Sequence, residues 1–170
     1  MANSRIISEL KQRVINDLIH DHDVITLIDS PDQKKPNWEP IYLLNTPKTK
    51  ELGFTPHLYT EQQNPNFTNL PITFIIVEIS IPNTENITFT WVKPVLNITI
   101  MSHRDHLFLD KDPESKINRN DALSILIDEK FNSGGSYNDL HLVSNEPALY
   151  GTDFLSRTLT FEGIDLNNAL

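Results

Sequence analysis

The chain of 170 residues has no cysteine and only five glycines. Without cysteine there is no disulfide framework, no thiolate nucleophile and no zinc site of the cysteine type. Scarce glycine leaves little material for active-site turns, and no phosphate-cradling Gly-rich loop, Gly-x-Ser-x-Gly elbow or His-Glu-x-x-His helix occurs. No stretch approaches the ~20 apolar residues needed to span a bilayer. Residues 1–18 interleave charges with apolar side chains where a signal peptide would carry a continuous hydrophobic core. A soluble product made in the cytoplasm, with no membrane partner, is expected. Positive charge is also short: 14 basic against 23 acidic residues give a formal net charge of -9. That balance repels phosphate backbones at long range and argues against a general nucleic-acid binder.

What is present is enough chain for one sizeable core, so residues 1–170 are read as a single domain. Ile6, Leu10, Val14 and Leu18 recur four residues apart with Ile7 and Ile15 beside them, which predicts an amphipathic N-terminal helix ending near residues 20–23. Residues 24–28 form a short apolar run read as a strand, closed by Asp29, Ser30 and Pro31. Prolines at 31, 36, 40, 47, 56, 65 and 71 then forbid long regular structure, so residues 31–70 read as a Pro-rich arm or loop insertion. Its islands carry Trp38, Tyr42, Phe54 and Tyr59, and a disordered linker is normally poor in aromatics. The arm is therefore expected to pack on something.

Residues 72–81 are the most apolar strand candidate, with Thr73, Ile75, Val77, Ile79 and Ile81 on one face. After the turn residues 82–86, residues 87–102 return as a second strand, and Pro94 confines that point to an edge or bulge. The pair reads as a long antiparallel hairpin. Residues 118–131 predict a second helix: Asn118 can cap it, and Leu123, Leu126, Ile127 and Phe131 share one face, with Gly134 and Gly135 past the end. Residues 140–145 and 153–163 read as two closing strands.

Few residue groups offer chemistry. His103 and His106, with Asp105 between, suggest a His-x-x-His metal pair, but at a strand end and without a third ligand the pattern fits a polar loop. His20, Asp21, His22 and Asp23 fit a helix C-terminus, where histidine interacts favourably with the dipole. Residues 110–114 hold acidic side chains around Pro113 without the glycine and distal glutamate of a calcium loop. Neither a metal nor a cofactor is expected. Arg157 interrupts the apolar face of the last strand and needs a carboxylate, for which Glu78 and Glu162 are the candidates within the subunit and an acidic group across an interface is the alternative. Leu149 and Tyr150, in a loop shaped by Pro147 and Gly151, form an apolar tip that suggests a contact surface.

The order of elements, with the helix at residues 4–19, the hairpin at 71–101, Arg119, Asp121, Ala122 and Leu123 opening the second helix, and the endings Leu140-His-Leu-Val-Ser-Asn and Phe154-Leu-Ser-Arg-Thr-Leu-Thr-Phe-Glu-Gly, resembles the tail terminator and head-to-tail joining (tail completion) proteins of tailed bacteriophages. The resemblance implies an α+β domain whose mixed or antiparallel sheet carries a long β-hairpin and packs against the two helices. It further implies a structural virion protein of the neck, a ring of six that caps the tail tube protein, meets the head-side connector or stopper, and lets DNA pass without specific binding. On that reading Trp38, Tyr42, Phe54, Tyr59, Asn83, Glu85, Leu149, Tyr150 and Arg157 are the interaction residues, and the protein is no enzyme. The competing readings are a small metal-dependent hydrolase using His103, Asp105 and His106, and an assembly adaptor working as a monomer or dimer.

Overall fold

The structure, a computed structural model, describes residues 2–60, 70–80, 94–109, 117–132 and 140–163. The order is α1 (Ala2–Ile19), α2 (His22–Ile28), α3 (Pro47–Glu51), β1 (Leu58–Tyr59), β2 (Thr73–Ser80), β3 (Val95–His103), α4 (Arg119–Asn132), β4 (Leu140–Tyr150) and β5 (Phe154–Gly163), with short 3-10 turns at Pro31–Lys34, Pro40–Leu43 and Arg104–His106. The fold class is α+β. Five strands form one sheet in the order β1-β2-β3-β5-β4, with β1 parallel to β2 and the other pairings antiparallel.

The period of two along each strand divides the residues between the sheet's faces. Ile75, Val77, Leu96, Ile98, Ile100, Leu159 and Phe161 share the inner face and join Val14, Ile15, Leu18 and Ile19 of α1, Val24 and Ile28 of α2, and Leu123, Ile127 and Phe131 of α4 in the main core. Phe131 meets Phe161 edge to face at 6.1 Å. Leu126 is half-buried against this core, so the expected phase of the second helix holds. Asn118 accepts the Asp121 amide at 2.9 Å, the expected cap. The outer face is polar over most of its area, with hydrogen bonds Thr99–Thr158 and Thr160–Asn97, and is apolar only at one end, where Phe74, Met101 and Phe154 cluster.

Several expectations are corrected. Residues 22–28 are helix and not strand, because Asp21 caps them: its carboxylate accepts the amides of Asp23 and Val24 at 2.9 and 3.1 Å. Burial opposes the charge on Asp21. The hydrogen bond from Lys130 of α4, 2.6 Å away, and the two amides outweigh it and hold the carboxyl below its ordinary range. Pro94 directly precedes β3, a central strand, and its carbonyl accepts the Gly163 amide at 3.0 Å. Pro94 packs so closely on Gly163 that a Cβ there would lie 2.9 Å from its ring, which is why β5 ends on glycine. The expected loop 145–153 is mostly strand. β4 runs on to Tyr150, and the turn is only Gly151 to Asp153, with Gly151 at φ 65°. Pro147 is tolerated within β4 because β4 is an edge strand, and a bulge between Leu142 and Ser144 resets its register.

The proline-rich segment is not a free arm over residues 31–60. Leu43, Thr49, His57 and Leu58 are buried, Leu44 bridges to Leu58, and Asn45 and His57 exchange backbone hydrogen bonds with Leu58 and Leu43. The segment thus lies along the outer side of β1, folded onto its own sheet. Three features of the sequence reading, the turn 82–86 with the strand start at 87–93, the acidic stretch 110–114, and the glycines 134 and 135, lie outside the described residues.

Candidate functional site: the edge hairpin and its cleft

The β4–β5 hairpin is the most exposed apolar feature of the described residues. β4 has β5 on one side, and among the described residues no strand pairs with its outer edge. At its end Leu149 is 78% exposed and Tyr150 52% exposed. Leu149 follows the inner face and Tyr150 the outer, so the tip presents apolar surface in both directions. Behind Leu149 lies a cleft of about 400 Å³. It is lined by Pro147, Ala148, Leu149, Leu155 and Ser156 of the hairpin together with Leu107, Asn118, Asn120 and Asp121. Phe108 and Ile117, neighbours of lining residues, are both exposed.

Arg157 occupies the inner face at the base of this cleft. Its Nη2 lies 2.5 Å from the Asp121 carboxylate, and its Nη1 donates to Asn145 Oδ1 at 3.1 Å. The expected partners Glu78 and Glu162 are excluded by strand parity. Both share the outer face with Asn97 and Thr160, whereas Arg157 pairs with Ile100 on the inner face. Asp121 supplies the carboxylate because the first turn of α4, where negative charge is favoured, lies over this part of β5.

Beneath the cleft a buried polar network ties α2, the end of β3 and α4 together. Arg119, 5% exposed, donates from Nε to His106 O at 2.7 Å and from Nη1 to Leu27 O, and its Nη2 lies 3.6 Å from Asp29 at the left-handed end of α2. His106 Nδ1 meets Thr73 Oγ1 at 2.8 Å, Thr73 meets Ser102 at 2.7 Å, and Ser102 donates to Asn120 Oδ1 at 2.6 Å. Asn120 completes the chain by donating to Leu155 O. Burial, and then the positive charge of Arg119, push the His106 imidazole down to about 4, against an opposing pull from Asp29. Burial likewise lowers His57, whose Nδ1 donates to Thr73 O at 2.6 Å. Apart from the exposed Asp29 carboxylate these groups are buried or half-buried and face one another, a pattern that fixes the packing of α4.

The histidine pair diverges. His103 belongs to the outer face, accepts the Asp105 amide on Nδ1 at 3.1 Å and meets Phe154 edge to face, whereas His106 turns inward to Thr73. Among the described residues no group of three or more histidines, cysteines or carboxylates is arranged to hold a metal. The sequence-derived interaction residues also separate. Trp38 packs on the main core, Tyr42 stacks on Phe54 at 4.7 Å, and Tyr59 joins Phe74 in the outer cluster. These four flank the β1 side of the sheet, while Leu149, Tyr150 and Arg157 lie at the β4 side. Asn83 and Glu85 lie outside the described residues. Asp121, Asn145, Arg119 and Phe108 escaped sequence reasoning. Only Asp121, as a first-turn acid, carried a local signal.

The chain is thus an α+β domain with an exposed edge hairpin. A family model described as YomW matches residues 21–162, and the chain belongs to this phage-derived family of the Bacillus prophage YomW type. None of the curated proteins compared with it matches.

Proposed function

We propose that this protein is a structural component of the phage neck, forming a ring of six that caps the tail tube and joins the tail to the head-side connector or stopper. The observation that carries the reading is the edge hairpin, with Leu149 and Tyr150 exposed at its tip beside a cleft of mixed polar and apolar lining: a soluble chain rarely leaves such a surface without a protein to cover it. Membership of a phage-derived family supports the setting. The net charge of -9 suits a channel through which DNA slides without sticking. Because residues 31–60 lie on their own sheet, the contacts fall to the hairpin and to the outer surface of that segment, not to an extended arm.

In this role the protein has no catalytic residue and works within the virion. The test is to add purified protein to polymerising tail tube protein and view the products by negative stain. Tubes should stop at a defined end bearing a ring. Tubes of unaltered length without a terminal ring would refute the reading, and stoichiometric metal in the purified protein, with hydrolytic activity lost on its removal, would put the hydrolase in its place.

A further inference from the structure

His57 is fully enclosed, yet only one of its ring nitrogens is engaged. Nδ1 donates to Thr73 O at 2.6 Å, so Nε2 of the neutral ring is a bare acceptor, buried without a hydrogen-bond partner among the described residues. A proton placed there would make a second N–H with nothing to receive it. His106 stands on the same threonine, its Nδ1 2.8 Å from Thr73 Oγ1, and a charge on either ring opposes a charge on the other. The charged groups around the two rings come from α2, α4 and the Pro31–Lys34 turn. Arg119 of α4 opposes a charge on His106, and Asp29, at the end of α2, favours one but is mostly solvent-exposed and 3.8 Å from Nε2. Asp32 favours a charge on His57, but its carboxylate is already engaged: Oδ1 lies 2.6 Å from Lys35 Nζ and Oδ2 accepts the Thr55 amide at 2.5 Å. The sheet contributes only hydroxyls here, Thr73 of β2 and Ser102 of β3. Burial outweighs the pull of Thr73 O and Asp32, and the His57 ring is held neutral.

The position of His57 gives this enclosure a consequence. It belongs to residues 31–59, which cover one edge of the sheet, and the backbone tie between that segment and β2 is thin. β1 pairs with β2 only at Leu58 and Tyr59, and just before it the Ile75 amide donates to His57 O at 2.7 Å. Many of the segment's other bonds are internal: the His57 amide to Leu43 O, the Asn45 amide to Leu58 O, the Thr55 amide to Asp32 and Lys35 Nζ to Gly53 O. Its departure would remove an edge strand and the packing of Trp38, Leu43, Leu44 and Leu58 on the core, and would leave the pairings of β2, β3, β5 and β4 intact. We propose that His57 is an acid latch: a proton taken up at Nε2 as pH falls releases residues 31–59 from β2, while the rest of the sheet stays folded on α1, α2 and α4.

The closed form excludes the proton and the open form accepts it. The latch is therefore fully closed above the ordinary histidine value near 6.5 and weakens as pH falls toward the lowered value of the enclosed ring. Within that window the ratio of open to closed forms should rise about tenfold per pH unit, the dependence that one proton gives. Opening uncovers the apolar side chains of the segment and the edge of β2 that β1 had paired, a surface onto which another strand can add. The latch is a property of the chain alone and does not rest on the neck reading.

Amide hydrogen exchange of the full chain, corrected for its intrinsic pH dependence, tests the latch. Below about pH 6 the protection of the Ile75 amide should fall about tenfold per pH unit, while the amides of the central strand β3 stay at least about tenfold better protected. His57→Asn keeps a donor for Thr73 O but cannot take a proton, so it should abolish that slope. His106→Asn should leave the slope in place, because His106 stays with the sheet. Unfolding midpoints at neutral pH establish that both variants fold. Loss of protection at Ile75 and β3 together, or an unchanged slope in His57→Asn, would overturn the proposal. Nitrogen NMR of the parent's histidine rings decides without any variant. His57 should carry its proton on Nδ1 at neutral pH and become charged in step with the loss of Ile75 protection. A proton on Nε2 at neutral pH, or a ring that charges while Ile75 stays protected, would refute the latch.

Discussion

Replacing Arg119 by methionine removes the guanidinium while keeping much of the side chain's apolar length, so the effect isolates its hydrogen bonds. Two are with partly buried main-chain carbonyls, at His106 and Leu27, and join α4 to the end of β3 and to α2. A hydrogen bond to a charged group contributes about 1.5 to 3 kcal/mol net. The Asp29 ion pair adds little, because its carboxylate is mostly solvent-exposed and the separation is 3.6 Å. Relief from burying the cation offsets part of the loss, which leaves an expected destabilisation of roughly 3 to 5 kcal/mol. Urea unfolding at neutral pH reads it as a lower midpoint at unchanged slope. The same variant removes the positive charge that helps depress His106, so the imidazole should titrate above its present value of about 4, yet below its ordinary value, because burial remains. Carbon-detected NMR of the histidine rings measures that shift. A loss under about 1 kcal/mol, or an unmoved His106, would refute the assignment of Arg119 as the clasp of this network.

Ile127→Ala should cost about 2 to 5 kcal/mol in the same assay and Leu126→Ala clearly less, since Ile127 is fully buried and Leu126 only half-buried; equal costs would contradict the helix phase. His106 is neutral-favoured in the folded state, so its contribution is complete above its ordinary value near 6.5 and is lost as pH falls through about 4. The expected loss across that window is up to roughly 3 kcal/mol, and His106→Asn should flatten it if unfolding is followed at a series of pH values. Leu149→Asp should leave thermal stability within about 0.5 kcal/mol but abolish tube capping; a severe loss of stability would show that the tip is covered within the monomer. Gly163→Ala should destabilise through the Pro94 ring, and recovery by Pro94→Ala in the double variant is the measurement that checks it.

Much of this protein could be read from local pattern. The recurrence at Leu10, Val14 and Leu18, the stripe Leu123, Ile127 and Phe131 after the Asn118 cap, and the face Thr73, Ile75, Val77 and Ile79 all follow from periods of 3.6 and 2, which depend only on near neighbours. The absence of cysteine, and of long apolar runs, is equally a property of the chain alone. Other features depended on which elements meet. Residues 22–28 carry β-branched side chains that suit a strand, and the cap at Asp21, itself bound to Lys130 of α4, decided for helix. The proline-rich stretch reads as an arm expected to pack on something because proline forbids long regular structure, and short turns, one helical turn and a two-residue strand are what bury Leu43, His57 and Leu58 on the chain's own sheet. His103 and His106 are close in sequence, and the strand end sends them to opposite faces. Arg157 announced its need for a carboxylate but not which one: strand parity removed Glu78 and Glu162, and the placement of α4 over β5 brought Asp121 within reach. An ion pair is a contact in space, and only the packed sheet and helix determine what lies next to a charge.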